Sequence, residues 1–109
     1  MDSTATARIE FTEKSFNFGD LVEGESVAHT FHFKNTGNKA LVINNVEASC
    51  GCTTIDYDKK PIPPGGEGKL EVVFDSEGRM GKQYKIITIF ANVPQKNVEL
   101  KVIANIKPQ

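Results

Sequence analysis

The sequence is short of most features that announce a function. It holds only two cysteines, too few for a disulfide framework. Its charges nearly cancel, with 13 Lys and Arg against 14 Asp and Glu, and the basic residues are scattered. A nucleic-acid binder would carry a basic stripe. No apolar run can cross a bilayer, which takes about 20 residues. The longest, Ile86-Ile87 and then Ile89-Phe90-Ala91, is broken by Thr88. No apolar signal segment follows Met1, where Asp2, Ser3, Thr4 and Thr6 make the start polar. The chain is expected to be cytosolic, or a mature form whose signal has been removed. Helical patterning is missing too: no window carries apolar residues at i, i+3, i+4 and i+7 over three turns.

Nucleophile chemistry is equally poor. Ser3, Ser15, Ser26, Ser49 and Ser76 are present, but none sits in a Gly-x-Ser-x-Gly elbow. Only His29 and His32 offer an imidazole base, and no acid pair stands out. No catalytic residue and no cofactor are expected.

What the chain has in quantity is alternation. Ile9 and Phe11 alternate with Arg8 and Glu10, and Phe16 and Phe18 flank Asn17. Val27, His29, Phe31 and Phe33 form one phase of the next run. Leu70, Val72 and Phe74 form another, as do Val98, Leu100, Val102, Ala104 and Ile106. Period two puts alternate side chains on opposite faces, so each run predicts a strand with one face in a core. Between residues 41 and 50 the phase slips. Leu41 and Ile43 share one phase, Val46, Ala48 and Cys50 the other. A bulge or bend at Asn44-Asn45 accounts for this, because a one-residue slip turns over every later side chain. Across residues 84–92 both phases are apolar: Ile87 and Ile89 against Ile86, Thr88 and Phe90. That predicts a central strand, or one whose outer face makes a contact.

Turn residues separate the runs: Gly19-Asp20, Glu23-Gly24-Glu25, Asn35-Thr36-Gly37-Asn38, residues 61–66 and Glu77-Gly78-Arg79. Short strands, frequent turns and no helix predict an all-β immunoglobulin-like antiparallel β-sandwich of about seven strands. A chain of 109 residues can bury about two-thirds of its unfolded surface. One domain over residues 1–109, with its core at about residues 8–107, is expected.

Several strings in order carry a resemblance. They are Phe16-Asn17-Phe18-Gly19, then Gly24-Glu25, then His29-Thr30-Phe31-His32-Phe33-Lys34-Asn35-Thr36-Gly37, then Leu41-Val42-Ile43. Ser49-Cys50-Gly51-Cys52-Thr53-Thr54, Pro61-Ile62-Pro63-Pro64-Gly65-Gly66 and Gly81-Lys82 follow. Over residues 11–107 the chain resembles a bacterial immunoglobulin-like family, domain of unknown function 1573, related to the ASH and major-sperm-protein-like sandwiches. It departs at Ala40, where that family commonly has proline. The resemblance implies the sandwich fold. It also implies a periplasmic, cell-envelope or secreted address, behind a signal peptide and often a lipoprotein one. It implies no chemistry.

The sharpest candidate site is Cys50-Gly51-Cys52. Gly51 allows a sharp bend that brings two sulfurs together. The pair then reads as packed structural cysteines, as redox thiols, or as two thiolates for a soft metal. Whether the sulfurs are joined is left open by the sequence, and with no Cys-x-x-Cys at a helix N-terminus one usual means of activating a thiol is lacking. Lys59 and Lys60 lie near in sequence. His29 and His32 are three apart on a strand and point to opposite faces, which spoils a shared metal site; His29 reads as a packing residue and His32 as solvated. Asp56-Tyr57-Asp58 reads as a solvated turn around a half-buried tyrosine, short of the oxygen ligands calcium needs. Gly65-Gly66-Glu67-Gly68-Lys69 is no phosphate loop, since Leu70 follows the lysine. No metal site is assigned.

The sequence thus predicts a non-enzymatic interaction or structural module of an exported protein, monomeric, with a protein or envelope partner and no nucleic acid. Ile86 and Phe90 are its candidate contact surface, because exposed apolar neighbours mark interfaces. The alternative is a thiol redox or metal-binding module acting through Cys50 and Cys52. Edge-to-edge pairing of two copies through the last strand is a further, weaker expectation.

Overall fold

The computed structural model describes residues 5–109; the polar start at residues 1–4 lies outside the described residues. Eight strands follow one another: β1 (Ile9–Phe11), β2 (Ser15–Val22), β3 (Ser26–Asn35), β4 (Ile43–Ala48), β5 (Thr53–Tyr57), β6 (Glu67–Asp75), β7 (Gly81–Ala91) and β8 (Asn97–Lys107). They form two four-stranded sheets, in the orders β1-β3-β6-β5 and β2-β8-β7-β4. No helix occurs among the described residues, so none is long and apolar enough to cross a membrane.

The sequence patterns explain the layers. Phe31 and Phe33 on β3 and Leu70, Val72 and Phe74 on β6 are buried, and so are Ile87 and Ile89 on β7 and Leu100, Val102, Ala104 and Ile106 on β8. Each set occupies every second position, so the two sheets turn these faces toward each other. Burying one such large side chain contributes about 1.5–3 kcal/mol, which is why register is firmly specified. The slip between Ile43 and Asn45 appears as a register shift in the pairing of β4 with β7.

Four expectations need correction. Among the described residues there are eight strands, not seven; the additional one is β5 (Thr53–Tyr57). Thr53, Ile55 and Tyr57 are its half-buried phase, but only five residues lie between the cysteine bend and a polar turn, and its Asp56-Tyr57-Asp58 end reads as a solvated turn. Gly19-Asp20 is not a turn between runs but a bulge inside β2. The register shifts between Asn17 and Asp20, Gly19 has φ +79°, and its N–H donates to Asn17 Oδ1 at 2.8 Å. The bulge lets both Phe18 and Leu21 face inward. The sandwich is not wholly antiparallel, because β2 pairs parallel with β8. The chain leaves the first sheet after β1 and joins the second as β2, running the same way. Last, β8 is no edge: it lies between β2 and β7, so edge-to-edge pairing through it is excluded by its own two neighbours.

Gly68 shows how closely the first sheet is fitted. It lies directly opposite Phe33, and a Cβ built there would overlap that ring, coming within 2.7 Å of Cε2. Phe33 is itself packed against Phe11, ring centres 5.3 Å apart, and cannot swing clear. Gly68→Ala is expected to destabilise the fold by about 1–3 kcal/mol, the usual cost of overpacking, although alanine normally suits a strand better than glycine. Urea unfolding checks this; an unchanged or raised midpoint would refute the tight fit.

Candidate functional site

The cysteine bend is built by the passage from one sheet to the other. β4 is an edge of the second sheet and β5 an edge of the first, and residues 49–52 carry the chain between them. Backbone bonds pin both sides: Ser49 N–H donates to the Ile86 carbonyl at 2.9 Å, and Asp75 N–H to the Cys52 carbonyl at 2.9 Å. Thr53 N–H donates to the Cys50 carbonyl at 3.2 Å and closes the turn. Cys50 and Cys52 are joined by a disulfide, with Cα atoms 5.2 Å apart. Cys52 N–H donates to Cys50 Sγ at 3.1 Å, and the Thr53 hydroxyl lies 3.8 Å from Cys52 Sγ. Both cysteines are half-buried while Gly51 is exposed. Cys52 leans on a small cluster of Leu21, Phe74, Ala104 and Ile106.

Ile86 and Phe90 stand on the outer face of β7, opposite in phase to the buried Ile87 and Ile89, and both are half-buried. β7 is flanked by β8 and β4. Across from Ile86 is Lys101, across from Phe90 are Asn97 and Asn45, and across from Tyr84 is Ile103. Tyr84 is 54% exposed, with the Lys82 ammonium 5.5 Å from its ring centre. The Ile86 N–H takes the Ser49 hydroxyl as acceptor at 3.0 Å, so the sulfur bend begins beside this face.

The other sequence candidates are not brought together. His29 points inward. It stacks on Phe16 of the opposite sheet, ring centres 3.6 Å apart, meets the edge of Phe31 at 4.8 Å, and turns Nε2 to the Glu13 carboxylate. His32 is exposed on the far side of the same strand. With Thr30, Asp56, Tyr57, Asp58, Lys69 and Glu71 it lines an open hollow of about 360 Å³ on the outer face of the first sheet. Asp56 and Tyr57 end β5 rather than forming a turn. Among the described residues no group of three His, Cys, Asp or Glu side chains could hold a metal ion. The joined sulfurs offer no thiolate to one.

Two residues that the sequence reading passed over as turn and loop are buried hubs. Asn35 is 0% exposed. Its amide donates to the carbonyls of Lys39 (2.8 Å) and Ile62 (3.0 Å), and its Oδ1 accepts from Arg8 N–H (3.3 Å) and Gly37 N–H (2.9 Å). Ser76, at the opposite end, accepts from Gly24 N–H at 3.0 Å and donates to the Glu25 carbonyl at 2.7 Å. A signal for Asn35 was present: it continues the inward phase of Phe31 and Phe33, where a polar side chain must find partners. Among the described residues no buried side-chain nitrogen or oxygen lacks a partner.

On the edge strand β2, Asp20 accepts from the Asn105 amide at 3.1 Å and pairs with Lys107 at 3.2 Å. The Asn105 hydrogen bond first, then Lys107, holds its carboxyl below the usual carboxylate range. Asp20 and Lys107 are exposed and Asn105 half-buried, and together they tie the bulged end of β2 to β8.

No curated protein matches the sequence. Among solved structures, a protein of unknown function from Porphyromonas gingivalis W83 is similar with a TM-score of 0.82 and 25% identity, over 96% of this chain and 49% of that one. This chain therefore spans about half the length of that protein. The ASH/PapD-like domain 7 of human CEP192 is similar with a TM-score of 0.77 and 10% identity, over 100% and 92% of the two chains. WR4, a major-sperm-protein family member of C. elegans, has a TM-score of 0.57 at 12% identity, over 94% and 99%. At such identities the last two speak to the fold alone, and they make the eight-stranded sandwich immunoglobulin-like. The strand order, the inward phases and a family model matching residues 9–106 converge, and the chain belongs to the family described as Protein of unknown function (DUF1573).

Proposed function

We propose that this chain is a non-enzymatic, monomeric immunoglobulin-like module of an exported or cell-envelope bacterial protein, which holds a protein or envelope partner on the outer face of its second sheet. The module occupies residues 1–109 as one domain. The observation that carries the reading is the apolar row Tyr84, Ile86 and Phe90 on a strand with neighbours on both sides. A central strand needs no outward apolar side chains for its own burial, and the exposed Tyr84 beside the half-buried Ile86 and Phe90 favours a contact surface. The buried Asn35 and Ser76 and the half-buried His29 are each already engaged in holding the fold, which speaks against acid–base or nucleophilic chemistry at these residues. The disulfide supports an oxidising compartment, in keeping with the exported address that the family resemblance implies.

Photo-cross-linking from the host cell tests this. A photoreactive residue at position 86 or 90 is expected to give discrete adducts, whereas one at position 56, on the opposite outer face, gives none. Equal labelling from all three positions, or none from any, would sink the proposed face.

A further inference from the structure

Cys50–Cys52 is a poor staple. It closes a loop across one glycine, so it removes little unfolded-state entropy compared with longer loops. The two ends of the bend are held to their own sheets, Ser49 to β7 and Cys52 to the end of β6, by backbone bonds that do not involve the sulfurs. Opening the sulfur–sulfur bond is therefore expected to leave the strand pairings in place. The bend is accessible as well: Gly51 is exposed, with no atom outside Cys50 and Cys52 within 4 Å of where a Cβ would stand. Most telling, each sulfur already has a donor. Cys52 N–H points at Cys50 Sγ, and the Thr53 hydroxyl, facing a sulfur that has no hydrogen, can only donate to Cys52 Sγ. A donor on sulfur favours the thiolate and makes that sulfur a better leaving group.

We propose that Cys50-Gly51-Cys52 is a thiol–disulfide exchange site that oxidises dithiols of partner proteins. Cys52 has one side packed on Leu21, Phe74, Ala104 and Ile106, so a partner thiolate attacks Cys50 Sγ. A partner–Cys50 bond forms, the Cys50–Cys52 bond breaks, and Cys52 departs as a thiolate beside the Thr53 hydroxyl. A second partner thiolate then attacks the partner sulfur of the mixed disulfide. The partner's own disulfide forms, and Cys50 departs as a thiolate onto Cys52 N–H. The partner loses two electrons and the cysteine pair gains them; the two protons shed by the partner thiols end on Cys50 and Cys52 or in solvent. A protein disulfide of higher potential, or glutathione disulfide, restores the pair by the reverse sequence.

The test uses the whole chain in buffers of reduced and oxidised glutathione, with alkylation and mass measurement to count thiols. Excess reduced glutathione is expected to open the pair, giving a mass gain of two alkyl groups, while the far-ultraviolet dichroism of the sandwich stays unchanged. In the single variants Cys52→Ser and Cys50→Ser, glutathione disulfide is expected to react about tenfold faster with the remaining Cys50 than with the remaining Cys52. Thr53→Val is expected to slow opening of the wild-type pair while leaving the single-variant Cys50 rate unchanged. A pair that stays joined in excess reduced glutathione would overturn the proposal. So would unfolding on reduction, or equal rates at the two cysteines.

Discussion

Asn35→Ala is expected to lower the unfolding free energy by about 3–4 kcal/mol, from the loss of four hydrogen bonds at about 1 kcal/mol each and the stranding of buried partners. The side chain is 0% exposed and both its donors and both its acceptor positions are used. It joins three pieces, the segment entering β1, the turn after β3 and the proline-rich segment before β6, which backbone bonds such as Thr36 N–H to the Arg8 carbonyl and Leu41 N–H to the Ile62 carbonyl also connect. The backbone of the same residue adds bonds to Gly65 and Gly66, at 2.8 and 2.9 Å. Removing the amide takes the acceptor from the Arg8 and Gly37 N–H groups and leaves the Ile62 carbonyl with the Leu41 N–H alone. Urea unfolding should show a midpoint lowered by about 1–3 M with little change in slope. Asn35→Asp, nearly the same shape, is expected to be at least as damaging at neutral pH, since it loses both donors and buries a charge. Burial raises a carboxyl's folded pKa above its unfolded value, so that part of the penalty is present above the folded pKa and fades as pH falls through it. A loss under about 1 kcal/mol for the alanine variant would mean that the three loops hold themselves without the hub.

Phe31→Ala should cost a similar amount, about 3–5 kcal/mol, by leaving a cavity that paired strands cannot collapse to fill. Phe31 is 0% exposed within the larger core cluster, and its ring borders His29, which in turn stacks on Phe16 across the sandwich. Melting should fall by roughly 12–30 °C at the usual ratio of free energy to temperature for a domain near this size. Phe90→Ala is the matching control. Its ring is aromatic too, but stands on the outer face and is half-buried, so a loss of only about 1 kcal/mol is expected. Equal losses at the two positions would contradict the assignment of inner and outer faces, and with it the proposed contact surface.

The difference between those two phenylalanines was legible in the sequence only in part. Alternation sorted Phe31 into the same phase as Phe33 and Phe90 into the phase opposite Ile89, because a pleated strand allows two faces and no more. It also located the bulge at Asn44-Asn45, where the phase breaks. It did not locate the bulge at Gly19, because glycine beside aspartate reads equally well as a turn. It missed β5, whose five residues are too few to establish a period. Cys50 and Cys52 were visible as a pair, but their bond and the donors on each sulfur depend on how the bend is seated.

The residues themselves determined that this chain is a sandwich and which side of most strands faces in, since period two and turn chemistry are local properties of the sequence. Only the three-dimensional structure decided that β2 runs parallel beside β8, that β8 has no free edge, and that Asn35 gathers three loops. Those facts rest on contacts between segments far apart in the chain, and no local pattern encodes which distant backbone or carbonyl a given group will meet.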